Sequence, residues 1–91
     1  MNYTLEYSKN FVKKVARFLK KHPDLKDKLY KTFEFLEKNP FHPSLRLHKL
    51  SGVLKEFYSI SLDMKYRIII DLIIEDEKII LLDIGTHDEV Y

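Results

Sequence analysis

Between Leu54 and Thr86, apolar residues recur at every second position. Tyr58, Ile60 and Leu62 form one such run, Tyr66, Ile68, Ile70, Leu72 and Ile74 a second, and Ile80, Leu82 and Ile84 a third. Successive strand side chains point to opposite faces, so this spacing buries its apolar set in a sheet and in no other regular structure. Asp63-Met64-Lys65 and the Glu75–Lys78 region supply the turns. The expected strands are Leu54 to Leu62, Tyr66 to Ile74, and Ile79 to about Thr86. The other phase is mixed: Phe57, Ser59 and Ser61; Arg67, Ile69, Asp71 and Ile73; Leu81, Asp83, Gly85 and His87. A one-residue slip would put the apolar set in water, so pairing must keep both phases aligned. That places Ser61 opposite Arg67, and Arg67 opposite Gly85 or His87.

The apolar face needs a cover, and residues 2–40 provide one. Asn2 to Tyr7 alternates as a short strand. Ser8 is a good N-cap for a helix carrying Phe11, Val15, Phe18 and Leu19 to about Lys20. His22-Pro23 breaks it. Asp24 can cap a second helix with Leu25, Leu29, Phe33 and Leu36 on one stripe, ended near Lys38 by Asn39-Pro40. Helices over 9–20 and 25–38, joined by a few residues, predict an antiparallel hairpin. From Pro43, Leu45 and Leu47 alternate with Arg46 and His48, and Ser51-Gly52 turns the chain. The expected fold is α+β, a β-α-α-β-β-β chain with the hairpin packed on one face of a small antiparallel sheet. Residues 1–91 read as a single domain. Tyr58, Ile60, Ile68, Ile70, Leu72, Leu82 and Ile84 should lie under the helices.

Composition removes several chemistries. The chain has no cysteine, so it has no disulfide, thiolate metal site or cysteine nucleophile. With only two glycines it cannot build a Gly-rich phosphate loop. Neither the histidines nor the carboxylates are spaced as metal ligands, so no metal and no cofactor is expected. The start, MNYTLEYSKN, does not read as a signal peptide, and the apolar stretches are too short for a membrane span. A cytoplasmic protein is the expectation. Charge is divided along the chain: residues 1–50 carry twelve bases against five acids, net +7, and residues 51–91 carry four against nine, net −5. A basic half can be a footprint for a polyanion, or lysines can simply solvate two helices.

On the mixed face, Arg67 and His87 become neighbours. A cation beside an imidazole suits an anion site; the other reading is that Arg67 pairs with Asp71 or Asp83 on a solvated surface. His22 and His42, each beside a proline, read as exposed loop residues.

His48-x-Leu50-x-Gly52, a strand carrying Tyr58, then Tyr66-Arg67-Ile68, and a closing Gly85-Thr86-His87 followed by Tyr91, resemble the RelE/ParE toxin superfamily. Within it, the chain is most similar to the YafQ-type RelE messenger-RNA endonucleases. The resemblance implies the RelE-like fold and a toxin of a type II toxin–antitoxin pair. It implies RNA cleavage on the ribosome without metal, by attack of a 2′-hydroxyl on the adjacent phosphorus. Carried over by position, His48 and His87 are the proton-transfer groups and Arg67 stabilises the phosphorane. Tyr91, with Ser61 and Lys49, positions substrate. Lys9, Lys13, Lys14, Arg17, Lys20, Lys21 and Arg46 would meet RNA or the ribosome. The expected partners are a cognate antitoxin, which should lie over the helix hairpin or along the sheet edge, and messenger RNA; the free toxin is expected to be monomeric.

The chain departs from the YafQ-type pattern, which often has histidine at the place of Ser61, an acid and an aromatic at Lys65-Tyr66, and arginine at Asp83. Arg67 would restore the lost positive charge from the neighbouring strand. The alternatives are a ParE-like toxin that inhibits DNA gyrase without cleaving RNA, and a degenerate member that only binds antitoxin.

Overall fold

The computed structural model describes residues 2–90. The elements run β1 (Thr4–Tyr7), α1 (Lys9–Lys21), α2 (Lys26–Lys38), β2 (His48–Lys49), β3 (Tyr58–Ser61), β4 (Tyr66–Ile73), β5 (Lys78–Thr86) and α3 (His87–Val90), with short 3-10 turns at Pro23–Leu25, Pro43–Leu45 and Gly52–Leu54. The sheet order is β1-β5-β4-β3-β2. It is antiparallel except at one edge, where β1 runs parallel to β5. That exception follows from connectivity, because the helical hairpin between β1 and the meander acts as a crossover.

Ser8 caps α1 as its residue type suggests, its hydroxyl accepting from the Phe11 N–H at 3.0 Å. Asp24 does not cap α2. The 3-10 turn Pro23–Leu25 leads straight into that helix, and its N-cap position, Leu25, makes no side-chain cap bond. The core between hairpin and sheet holds Phe11, Phe18, Leu29, Leu36, Ile60, Ile68, Ile70, Leu72, Ile79, Leu81 and Ile84, with Tyr58 packed at its margin.

Leu82 is not in that core, and the reason is a β-bulge. Ile70 of β4 faces Leu81, whereas the preceding Ile69 faces Asp83, so Leu82 is an extra residue on β5. The bulge reverses phase along β5. Ile79 and Leu81 are fully buried under the helices, while Leu82 packs with a second cluster of Leu50, Ile69 and Val90. Beyond the bulge Ile84 regains the inward face. The bulge also anchors α1: the Leu82 carbonyl accepts from Asn10 Nδ2 at 2.8 Å, and the Leu81 carbonyl from the Ser8 N–H at 3.0 Å.

The first strand of the meander is shorter than its sequence pattern. Residues 52–54 form a 3-10 turn and pairing starts at Tyr58. Ahead of it, Leu45 belongs to a 3-10 turn and Arg46 is left-handed (φ 50°), which confines β2 to two residues. The second strand ends at Ile73, leaving Ile74 exposed. Residues 50–57 and α3 lie against the sheet face opposite the hairpin, burying Ile69 and the completely enclosed Ser59. The mixed face is therefore partly covered, and what remains is a cleft.

Candidate functional site

Strand register puts the sequence-selected residues on one face. Ser61 pairs with Arg67, Arg67 with Gly85, and His48 with Ser59, so His48, Ser59, Ser61, Arg67 and Gly85 share the face away from the hairpin. Two strand steps separate β2 from β4, roughly 10 Å at ordinary sheet spacing. Arg67 is half-buried and has no ion-pair partner among the described residues. Asp83, the acid that might have neutralised it, instead binds Lys14 of α1 at 2.7 Å.

His87 is the first residue of α3, a helix absent from the sequence expectation. Thr86 and Glu89 form a capping box around it. The Glu89 carboxylate accepts from the Thr86 N–H at 2.8 Å, and the Thr86 hydroxyl accepts from the Glu89 N–H at 3.3 Å. The first of these bonds holds the Glu89 carboxyl below its ordinary range. Thr-x-x-Glu was legible at residues 86–89 and is the signal that could have found the helix. Gly85 permits the fold-back: a Cβ there would lie 3.1 Å from Glu89 Cβ and 3.2 Å from Val90 Cγ1, tighter than ordinary contact.

His48 and His87 line the same cavity, of about 550 Å³, together with Lys49 and residues 50–54. Arg67 is not among its lining residues, though it shares the sheet face. His48 Nδ1 lies 3.4 Å from the Ser59 hydroxyl, which orients the ring and leaves Nε2 for other chemistry. His87 is largely exposed, with Nδ1 3.5 Å from the Asp88 carboxylate. The Ser61 hydroxyl donates to the Asp63 carbonyl at 2.9 Å, so its lone pairs are what it can offer a ligand. The Lys49 ammonium sits over the Tyr58 ring, 5.0 Å from its centroid. Tyr91 lies outside the described residues.

The cationic candidates divide. Lys14, Arg17 and Lys21 line a second cavity, of about 480 Å³, whereas Lys9, Lys13 and Lys20 do not. Arg46 is exposed beside β2. Two histidines correct the sequence expectation. His22 is half-buried, its Nε2 3.0 Å from the Tyr66 hydroxyl and its ring against Phe18 and Tyr66. His42 is also half-buried: Nδ1 accepts from the Ser44 N–H at 3.1 Å, and the ring lies on Phe35. Neither has a charge or periodicity signal that would have revealed these contacts.

No group of three or more His, Cys, Asp or Glu among the described residues is placed to hold a metal ion, and none of their helices is long and apolar enough to cross a membrane.

The family model for the ParE toxin of type II toxin–antitoxin systems matches residues 5–91. The chain belongs to that toxin family, within the RelE/ParE superfamily. Its architecture is YafQ-like. It superposes on Escherichia coli YafQ with a TM-score of 0.82 at 24% identity, covering 98% of each chain. Against a chain of the E. coli DinJ–YafQ toxin–antitoxin complex the TM-score is 0.81 at 25% identity, covering 100% and 99%. A metal-bound toxin from Helicobacter pylori gives 0.80 at 29% identity over the whole of both chains. No curated protein sequence matches.

Proposed function

We propose that this toxin is an endoribonuclease that cuts messenger RNA on the ribosome. The observation that carries the reading is the shared cavity of His48 and His87, with Arg67 on the same sheet face and no carboxylate partner for it among the described residues. One imidazole takes the proton of the 2′-hydroxyl. The resulting oxyanion attacks the adjacent phosphorus, the P–O5′ bond breaks, and the 5′-oxygen takes a proton from the other imidazole. The products are a 2′,3′-cyclic phosphate and a 5′-hydroxyl. Imidazoles suit both tasks because they titrate near neutrality. The Arg67 guanidinium matches the charge that develops on the phosphorane oxygens. Every step uses the chain's own side chains, and DNA, which lacks the 2′-hydroxyl, cannot follow this route.

Ser61, Lys49 and Tyr91 are assigned to substrate positioning. Lys9, Lys13, Lys14, Arg17, Lys20, Lys21 and Arg46 are assigned to phosphate contacts with message or ribosome. The cognate partner is an antitoxin, as the complex of YafQ with DinJ supports. Exposed Tyr7, Val12, Tyr30 and Phe35 on β1 and the helix hairpin give a folding segment apolar surface to cover.

The matching family model carries the ParE name, which favours a second reading in which the toxin inhibits DNA gyrase and cleaves nothing. Expression in bacteria, followed by mapping of 5′-ends in translated messages, separates the two. The nuclease reading expects new ends within coding regions soon after induction. Growth arrest with intact messages and impaired supercoiling would transfer the assignment to the gyrase reading.

A further inference from the structure

The second cavity has no role in the cleavage chemistry, yet it is built in a definite way. One bank is α1, where Lys14, Arg17 and Lys21 follow each other at intervals of three and four and so share a face. The other bank is the β3–β4 turn, which contributes Lys65. Its floor is Phe18 and Tyr66, both buried, with the Tyr66 hydroxyl fixed by His22. Arg17, Lys21 and Lys65 have no carboxylate partner among the described residues. Of the acids nearby, Asp83 is bound to Lys14, and Glu89 is held by the Thr86 N–H within the capping box.

The position matters as much as the charge. Gly85, Thr86 and Glu89 line this groove, and His87, inside the same segment, lines the other cavity. The capping box thus stands as a narrow wall between the basic groove and the paired histidines. A chain of phosphates leaving the histidine cavity over the start of α3 enters a channel with cations on both banks.

We propose that this groove is a second phosphate site, which grips the backbone of single-stranded RNA beyond the cut. The inference rests on the nuclease reading for its substrate and deepens it. An acidic protein segment is the competing occupant, and the surface argues against it. A segment that folds on binding draws affinity from apolar burial, but the aromatic and aliphatic side chains that line the groove are already buried, and the exposed apolar ones lie mostly elsewhere, at Tyr7, Val12, Tyr30, Phe35, Phe41, Val53 and Ile74, with Met64 beside Lys65 the exception. Phosphate contacts need only accessible cations.

The test uses the full chain and a short fluorescent RNA with 2′-O-methyl riboses, which cannot be cut, titrated at several salt concentrations. A triple variant Arg17→Ala, Lys21→Ala, Lys65→Ala should bind roughly tenfold more weakly. It should also lower the slope of log K against log salt by about 2, from three contacts at roughly 0.7 each on a single strand. A matched triple on α2, Lys28→Ala, Lys31→Ala, Lys38→Ala, removes the same charge outside the groove and should change neither by a comparable amount. Equal losses from both triples would overturn the site in favour of diffuse attraction. Unchanged RNA binding would overturn it as well, and so would unchanged RNA binding with weakened antitoxin capture, which would give the groove to an acidic peptide. If the wild-type chain holds the RNA through the groove but cuts no unmodified message, the cleavage reading fails and the groove stands.

Discussion

Replacing His22 by alanine should destabilise the protein, although its position beside Pro23 suggests an idle loop residue. The ring does two things. Its Nε2 is 3.0 Å from the hydroxyl of Tyr66, a residue only 8% exposed, and it lies 4.9 Å from the ring centroids of both Phe18 and Tyr66. A hydrogen bond of this kind contributes about 1 kcal/mol net. The aromatic contacts contribute about another 1 kcal/mol beyond area burial. Because the pair lines an open groove, water can replace part of the lost bond, so the sum of about 2 kcal/mol already allows for rehydration of the hydroxyl. For a domain of this size each kcal/mol moves the midpoint by roughly 4–8 °C, so Tm should fall by roughly 8–16 °C. Thermal and urea unfolding followed by circular dichroism would read this. A double-mutant cycle with Tyr66→Phe should show a coupling of about 1 kcal/mol. A His22→Ala variant within about 0.5 kcal/mol of wild type would refute the packing argument, since that is the range of featureless surface changes.

Leu81→Ala should cost roughly 2–5 kcal/mol, as for fully buried leucines, and Leu82→Ala clearly less, because the bulge places Leu81 in the main core and Leu82 on the smaller cluster; urea midpoints would show the order, and a reversed order would contradict the register. Gly85→Ala should displace α3, since the new Cβ meets Glu89 and Val90; the nuclear magnetic resonance shifts of residues 86–90 should move, and cleavage should fall with them. Glu89 should titrate below an ordinary glutamate, because its ionised form accepts the Thr86 N–H. A depressed folded pKa means the capping box contributes at pH above the unfolded value and is lost as pH falls through the folded one. Amide exchange at residues 86–90 should therefore quicken in acid, and in Glu89→Gln it should be less dependent on pH across that window.

The helices were legible because each had a stripe and a stop. Ser8, Pro23 and Asn39-Pro40 bound them within a residue or two of the expected ends. The pairing of Ser61 with Arg67 and of Arg67 with Gly85 was legible because β3, and β4 where it leaves the hairpin at Tyr66-Arg67-Ile68, alternate strictly. Alternation failed on β5. Residues 79–84 are Ile-Ile-Leu-Leu-Asp-Ile, in which either phase is apolar, so periodicity could not reveal that Leu82 is extra. The ion pair of Asp83 with Lys14, which leaves Arg67 without a carboxylate partner among the described residues, was hidden as well, because only tertiary packing brings α1 to β5. His22 was misread for a different reason. Its partner Tyr66 is 44 residues away, and only tertiary packing brings them together. The His48 and His87 pairing came from resemblance, and the cavity they share adds a geometric reason that spacing alone did not contain.

Single-turnover cleavage of a message on a programmed ribosome, by purified wild type, His48→Ala, Arg67→Ala, Arg67→Lys and His87→Ala, tests the nuclease reading most directly. His87→Ala and His48→Ala should each lose about 10²–10⁴-fold in the chemical step, the usual contribution of a positioned acid or base. Arg67→Ala should also slow it, and Arg67→Lys should recover only part of the loss, because a point charge does not reproduce the planar fork. All four variants should keep wild-type folding and antitoxin binding. Cleavage by His87→Ala at the wild-type rate would contradict the assignment. Absence of cleavage by the wild type, with gyrase impaired instead, would contradict the reading as a whole.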